Sequence, residues 1–223
     1  MYKVGIIGGM GPLATVNFYE KLVKSTPAKS DNEHIDLVIL NHATLPDRTE
    51  CIFNNENEKF LEKIKSDFDI MNRIGVEVIA IPCNTSHYYY NDYKNFTSIP
   101  IVNMVESSVL EIKKLGYKKI CVFSTTGTSK TKIYEKYALE NNISLVEMDE
   151  TDKKDIMDTI YTIKETNDTK DEKLNEMIEK YCTDDVIGIV ACTELSLVKI
   201  NEKNKSKVID AIDILVKETL KYR

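Results

Sequence analysis

The 223-residue sequence contains no apolar run that approaches the roughly 20 residues needed for a membrane-spanning helix. Its N-terminal apolar stretch is short and leads into a glycine turn, which is not the form of a signal peptide. No long basic run is present, and a net charge of −6 argues against a nucleic-acid partner. We therefore expect a cytoplasmic protein that engages neither membrane nor nucleic acid.

Metal-binding and disulfide frameworks are also missing from the sequence. None of the five cysteines forms a C-x-x-C pair, and the three histidines are scattered. This spacing argues against a zinc site. Cytoplasmic cysteines are kept reduced, so we expect five free thiols.

Short apolar segments alternate with longer amphipathic ones along the whole chain. Buried strands separated by helices are typical of right-handed β-α-β units and a parallel sheet. The predicted strands cover residues 4–7, 37–41, 76–81, 99–103, 119–123, 144–147 and 186–190. The predicted helices cover residues 12–24, 56–74, 84–95, 105–115, 130–141, 155–164, 174–181 and 208–223. The pattern predicts an α/β fold.

The second half of the chain repeats the first. The glycine turn after the first strand matches the S-T-T-G-T turn after residues 119–123, so that Gly11 aligns with Gly127. The strand that ends at Cys83 aligns with the strand that ends at Cys192, in the same order along the chain. We interpret this as an internal repeat of one β-α-β domain.

The positions of the two repeated cysteines suggest a catalytic role. Ligands of parallel sheets sit beyond the carboxyl ends of the strands, and Cys83 and Cys192 lie at such ends. A helix that starts next to a thiol lowers its pKa, so we expect both thiols to be activated in this way. If the two halves face each other, one thiol removes a proton from a carbon and the other returns one to the opposite side. This pattern favours inversion at carbon over two buried core cysteines.

The glycine-rich first turn has a second possible reading. Gly9, Gly11 and Ala14 fit the dinucleotide pattern G-x-G-x-x-A after a strand. That site needs an acidic residue at the end of the second strand, where this chain has Asn41 and His42. A loop that presents backbone N–H groups to a carboxylate is the better interpretation.

Five motifs occur in order along the chain: G-I-I-G-G-M-G-P-L-A-T, P-D-R-T, P-C-N-T-S-H, S-T-T-G-T and A-C-T-E-L. In this order they resemble the aspartate/glutamate racemase superfamily, and most closely its cofactor-independent aspartate racemases. The resemblance spans residues 3–213.

The resemblance implies two pseudo-symmetric parallel-sheet α/β domains with the active site in the cleft between them. Residues 1–98 plus 208–223 would form the first domain and residues 99–207 the second. A homodimer is implied, with an acidic amino acid as substrate and neither a metal nor pyridoxal phosphate as cofactor. Cys83 and Cys192 would be the catalytic thiols, and Glu194 would tune Cys192. The implied substrate-binding residues are Met10, Arg48, Asn84, Thr85, Thr126, Lys164 and Thr193.

Two departures from the family pattern leave alternatives open. Ala191 replaces the glycine that most relatives have before the second cysteine, and H-A-T-L-P-D-R-T replaces a common P-Q-I-P-D-R-T loop. The alternatives are a dicarboxylate isomerase or decarboxylase that uses one cysteine covalently, and an inactive relative that only binds an acidic amino acid. Retention of both cysteines favours racemisation.

Overall fold

The computed structural model describes residues 2–223 and confirms an α/β fold with two parallel sheets. Contacts within the chain divide it into two units. One unit extends to Asn103 and also contains Leu215–Arg223, and the other is Met104–Ile214. No helix within residues 2–223 is long and apolar enough to cross a membrane.

The first unit is built on a three-stranded parallel sheet. Its strands are β1 (Val4–Gly8), β2 (Leu37–Asn41) and β3 (Val78–Ala80), in the order β2-β1-β3. Its helices are α1 (Pro12–Ser25), α2 (Arg48–Asn54), α3 (Asn57–Ile74) and α4 (Tyr90–Tyr93). The long α3 buries an aromatic and aliphatic stripe that includes Phe60, Ile64 and Phe68. Gly75 ends this helix in a left-handed conformation with a φ of 73°.

The second unit has the same plan with one more strand. Its strands are β4 (Lys119–Phe123), β5 (Ser144–Leu145), β6 (Val186–Val190) and β7 (Val208–Asp210), in the order β5-β4-β6-β7. Its helices are α5 (Met104–Lys114), α6 (Thr126–Lys130), α7 (Ile133–Glu140), α8 (Glu150–Thr166) and α9 (Lys173–Tyr181). The last helix, α10 (Ala211–Thr219), begins in this unit and ends in the first.

Strand register confirms the internal repeat residue by residue. In the first sheet Ile6 pairs with Ala80, and in the second Val122 pairs with Ile189. When Gly11 is aligned with Gly127 and Cys83 with Cys192, these two pairs coincide. Equivalent strands of the two repeats therefore pair in the same register, each within its own sheet. The same alignment makes Met10 the counterpart of Thr126.

The fourth strand position differs from the prediction in both halves. Residues 99–103 form only an isolated bridge between Ile101 and Ile79, because the segment turns into α5 directly afterwards. Residues 208–210, predicted as helix, form β7 and pair with β6 through Gly188 and Val208. The unit boundaries consequently fall at 103/104 and 214/215, where the sequence placed them at 98/99 and 207/208.

Candidate functional site

The first cysteine lies just beyond the carboxyl end of β3. Cys83 is buried, and a short 3-10 helix, Thr85–Tyr89, follows it where the sequence predicted a longer helix. The Ser86 hydroxyl donates to the Cys83 carbonyl at 3.0 Å. His87 Nδ1 lies 2.8 Å from the same carbonyl. The turn that carries the thiol is therefore fixed by side chains that follow it in the P-C-N-T-S-H motif.

His87 is a structural residue of this turn that the sequence analysis did not single out. Its other ring nitrogen, Nε2, lies 3.4 Å from the Val102 carbonyl. Both neighbours are acceptors, and burial lowers the pKa of His87 despite these two carbonyls. A neutral imidazole has a single N–H and can donate to only one of these two carbonyls, of which the Cys83 carbonyl is the nearer.

Arg48 and Met10 are brought together in the first unit. The Arg48 guanidinium is buried and donates to the carbonyls of Pro46 at 3.1 Å and Met10 at 3.4 Å. The Met10 side chain belongs to the same apolar cluster as Cys83. A buried guanidinium in the unit that carries Cys83 provides a positive charge that can bind a carboxylate group.

Two further predicted residues, Asn84 and Thr85, are also buried in this unit. Asn84 is the N-cap of the 3-10 helix after the thiol, and Thr85 is the first residue of that helix. All five predicted residues of the first half therefore lie in buried positions at or near the carboxyl edge of one sheet.

A histidine–aspartate pair at the same edge was missed by the sequence analysis. His42 Nδ1 contacts both Asp67 oxygens, at 2.9 and 3.1 Å. Asp67 lies on α3 with a relative exposure of 4 %, and burial raises its pKa while His42 opposes the shift. His42 follows β2 directly. Sequence offers little signal for this pair, because its members are 25 residues apart.

The second cysteine is held as a protonated thiol. Cys192 is buried beyond β6, and its Sγ donates to Glu194 Oε2 at 3.1 Å. Burial and the Glu194 carboxylate raise the pKa of Cys192 well above its usual value, and Lys164 opposes them. The expectation of a lowered pKa is wrong for Cys192. The helix that follows is only the three-residue 3-10 turn Leu195–Leu197, which is too short to offset burial.

The other predicted residues of the second half are differently exposed. Thr193 is buried, and its hydroxyl donates to Glu194 Oε2 at 3.4 Å. Thr126 begins α6 and contacts the Met157 sulfur at 3.9 Å. Lys164 is exposed near the end of α8, with its ammonium 5.3 Å from the Tyr161 ring centre. Of these, Lys164 acts on Cys192 through its charge.

The alanine before Cys192 fits the sheet without distortion. The Ala191 N–H donates to the Phe123 carbonyl at 2.8 Å, which continues the ladder between β6 and β4. Ala191 is not among the described residues with a positive φ. The methyl group therefore does not shift the turn that carries the thiol.

Within residues 2–223, no group of three or more His, Cys, Asp or Glu side chains is placed to hold a metal ion. The chain matches the family model for Asp/Glu/hydantoin racemases over residues 7–219. It belongs to that family. Membership makes the chain a racemase-class enzyme and confirms the resemblance that the motifs carried.

Individual relatives of this racemase agree with the assignment. The broad-specificity amino-acid racemase RacX of Bacillus subtilis (strain 168) is 29 % identical over 97 % of this chain and 96 % of its own length. The aspartate racemase of Picrophilus torridus is 31 % identical, with a TM-score of 0.83 over 99 % of this chain and 94 % of that one. Glutamate racemase RacE1 of Bacillus anthracis, at 15 % identity, shares the fold with a TM-score of 0.66 over 97 % of this chain and 79 % of that one.

Proposed function

We propose that this racemase inverts Cα of an acidic amino acid, aspartate or glutamate, with Cys83 and Cys192 as its two acid/base groups. The observation that carries the proposal is the equivalence of the two thiols. Each lies just beyond the carboxyl end of the strand that occupies the same place and register in its sheet. Inversion needs one acid/base group on each side of Cα, and the internal repeat supplies two equivalent thiols.

In this proposal one thiolate removes the α-proton and the other thiol delivers a proton to the opposite side. The Cys83 thiolate accepts the proton in one direction, and Cys192, already hydrogen-bonded as a thiol, donates. After this step Cys192 is the thiolate and Cys83 is the thiol, which is the state that the reverse direction needs. The substrate ammonium and Lys164 favour the Cys192 thiolate. No metal or pyridoxal phosphate takes part in these steps.

Substrate binding is assigned to the charged and polar residues around each thiol. Arg48 and Lys164 bind carboxylates, which also stabilises the negative charge that develops when the α-proton leaves. The roles of holding the α-carboxylate and α-ammonium fall to polar side chains and backbone groups of the turns. Those residues are Asn84, Thr85, Thr126 and Thr193. Met10 lines the pocket of the first half.

The proposal includes a cytoplasmic homodimer, as the motif resemblance implies. Light scattering on the purified protein tests this part separately. A monomer at micromolar concentration would remove the dimer from the proposal and leave the chemistry untouched.

The decisive experiment follows Cα exchange in deuterated solvent. Protein purified with a chelator and without pyridoxal phosphate is mixed with each enantiomer of aspartate and glutamate. Proton NMR then measures loss of the α-hydrogen signal, and chiral chromatography measures inversion. We expect both to occur with at least one acidic amino acid. Absence of exchange and inversion with all four would overturn the proposal.

A further inference from the structure

Ser196 links the turn that carries Cys192 to Asp210. Its backbone N–H donates to the Cys192 carbonyl at 3.2 Å. Its hydroxyl has one hydrogen to donate, and Asp210 Oδ1 at 2.8 Å is nearer than the Cys192 carbonyl at 3.4 Å. A hydrogen bond to a carboxylate is roughly twice as strong as one between neutral groups. The backbone of the second cysteine is therefore tied through Ser196 to a charged acceptor.

Asp210 is itself fixed at the carboxyl edge of the second sheet. It is the last residue of β7, where it pairs in parallel with Val190, two residues before Cys192. It also directly precedes α10, and its Oδ1 accepts from the Ile212 N–H at 2.9 Å. A carboxylate that accepts an N–H in the first turn of a helix is a typical N-cap. One strand and one helix thus set the place of the carboxylate that Ser196 contacts.

The first half of the chain has an equivalent link made of different side chains. When Cys83 is aligned with Cys192, His87 is the counterpart of Ser196, four residues after the cysteine. The His87 ring nitrogens lie 2.8 Å from the Cys83 carbonyl and 3.4 Å from the Val102 carbonyl. Val102 belongs to the segment that takes the fourth strand position of its sheet, as β7 does in the second. Both repeats therefore connect the cysteine backbone to the neighbouring strand position through the same side-chain position.

We propose that Asp210 is a positioning residue for the Cys192 thiol, which it holds through Ser196 at the distance that proton transfer to Cα requires. The proposal rests on the function proposed above, because it concerns one of the two acid/base groups assigned there. Proton transfer depends steeply on geometry, and a displacement of about 1 Å is enough to slow it strongly. Loss of the link should therefore impair the steps that use Cys192 and leave those that use Cys83.

Three substitutions separate positioning of the thiol from capping of α10. Ser196→Ala removes the hydroxyl and leaves the Ile212 N–H bonded to Asp210. Asp210→Asn keeps Oδ1 as an acceptor for both contacts and removes the charge. Asp210→Ala removes both contacts. Ser206→Ala is the matched control, because Ser206 is exposed in the same unit.

The first measurement compares alkylation of Cys192 with alkylation of Cys83 in the same molecules. Buried thiols react with iodoacetamide when their surroundings open locally, and peptide-resolved mass spectrometry gives both rates. Global unfolding exposes the two thiols together, so a selective rise for Cys192 reports on its own turn. We expect the ratio of the Cys192 rate to the Cys83 rate to rise about tenfold in Ser196→Ala and in Asp210→Ala. It should stay within about threefold of wild type in Asp210→Asn and be unchanged in Ser206→Ala.

The second measurement distinguishes positioning for proton transfer from local structural support. The L and D forms of the amino acid that the enzyme racemises are prepared with deuterium at Cα, and the isotope effect on kcat/KM is measured for each. A displaced Cys192 slows both the removal and the delivery of a proton by that thiol. In Ser196→Ala we expect the isotope effect to rise for the enantiomer whose labelled proton Cys192 removes. It should fall for the other enantiomer, because Cys83 removes that label and delivery by Cys192 becomes the slow step.

An unchanged alkylation ratio in Ser196→Ala would overturn the proposal. Isotope effects that stay at their wild-type values while the ratio rises would also overturn it. Failure of the racemase function is seen differently, as absence of Cα exchange in the wild type. A raised ratio in that case would support the hold of Asp210 on Cys192 and reject only the function.

Discussion

The Cys192 thiol donates a hydrogen bond to the Glu194 carboxylate across 3.1 Å, and this contact accounts for part of the raised pKa of the thiol. The carboxylate disfavours a thiolate beside it, and removal of its charge should lower the pKa. We expect Glu194→Gln to move alkylation of Cys192 by iodoacetamide to lower pH, and Lys164→Gln to move it to higher pH. Peptide-resolved mass spectrometry gives the midpoint. A midpoint that stays in place in Glu194→Gln would contradict this prediction.

If the proposed mechanism holds, each of the thiols of Cys83 and Cys192 is indispensable for inversion. We expect Cys83→Ala and Cys192→Ala each to lose at least about 10²-fold in racemisation rate, the usual contribution of one acid/base group. Cys121→Ala is the control, since Cys121 is a buried thiol within β4. Chiral chromatography measures the rates. A comparable loss of racemisation rate in all three variants would indicate that disturbed packing, and not the loss of an acid/base group, lowers the rate.

Replacement of Gly9 by alanine should destabilise the protein more than replacement of Gly116, which has a similar positive φ. Gly116 has a φ of 88° and open space where a Cβ would go, whereas a Cβ on Gly9 would strike the His42 backbone. We expect Gly116→Ala to cost about 1 kcal/mol of unfolding free energy. Gly9→Ala should cost roughly 2 kcal/mol more because of the clash. Urea denaturation measures both, and equal costs would exclude the clash as the cause.

Buried His87 should make the protein less stable in mild acid. Burial lowers its pKa in the folded state, so the unfolded chain binds more protons as the pH falls below about 6.5. The contribution of neutral His87 is fully present above that pH and is lost as the pH falls towards its folded pKa. We expect His87→Gln to flatten the dependence of unfolding free energy on pH in this window. The same slope in wild type and variant would refute the prediction.

Ala191 should be compatible with full activity. Its N–H continues the ladder to Phe123, and its backbone does not need glycine. We expect Ala191→Gly to lower the unfolding free energy by about 0.5–1 kcal/mol through chain entropy. The rate constant should stay within about threefold, a range that represents less than 1 kcal/mol. A large gain in rate would instead indicate that the methyl group restricts the site.

The parts of the fold predicted from sequence are those with local signals. The apolar runs that end at Cys83 and Cys192 define strands because a parallel strand is buried on both faces. β7 was missed because its three residues lead directly into the apolar start of α10. Hydrophobic periodicity alone does not distinguish such a short strand from the helix that follows it.

The chemistry of the site was less accessible from sequence than its location. Motifs pointed to the residues at the sheet edges, yet the pKa of Cys192 depends on how deeply the thiol is buried, which no motif encodes. The His42–Asp67 pair depends on where α3 packs on the sheet. Both are properties of tertiary structure, and neither has a local sequence signal.

The division of α10 between the two units has a consequence for synthesis of the chain. The unit that carries Cys83 begins before the second unit along the chain, yet it includes Leu215–Arg223, which follow the second unit. Domains generally fold as units, N-terminal ones first during translation. Here the first unit is completed only after the whole of the second unit has been synthesised. A truncation just before Leu215 would therefore damage the unit whose synthesis begins first.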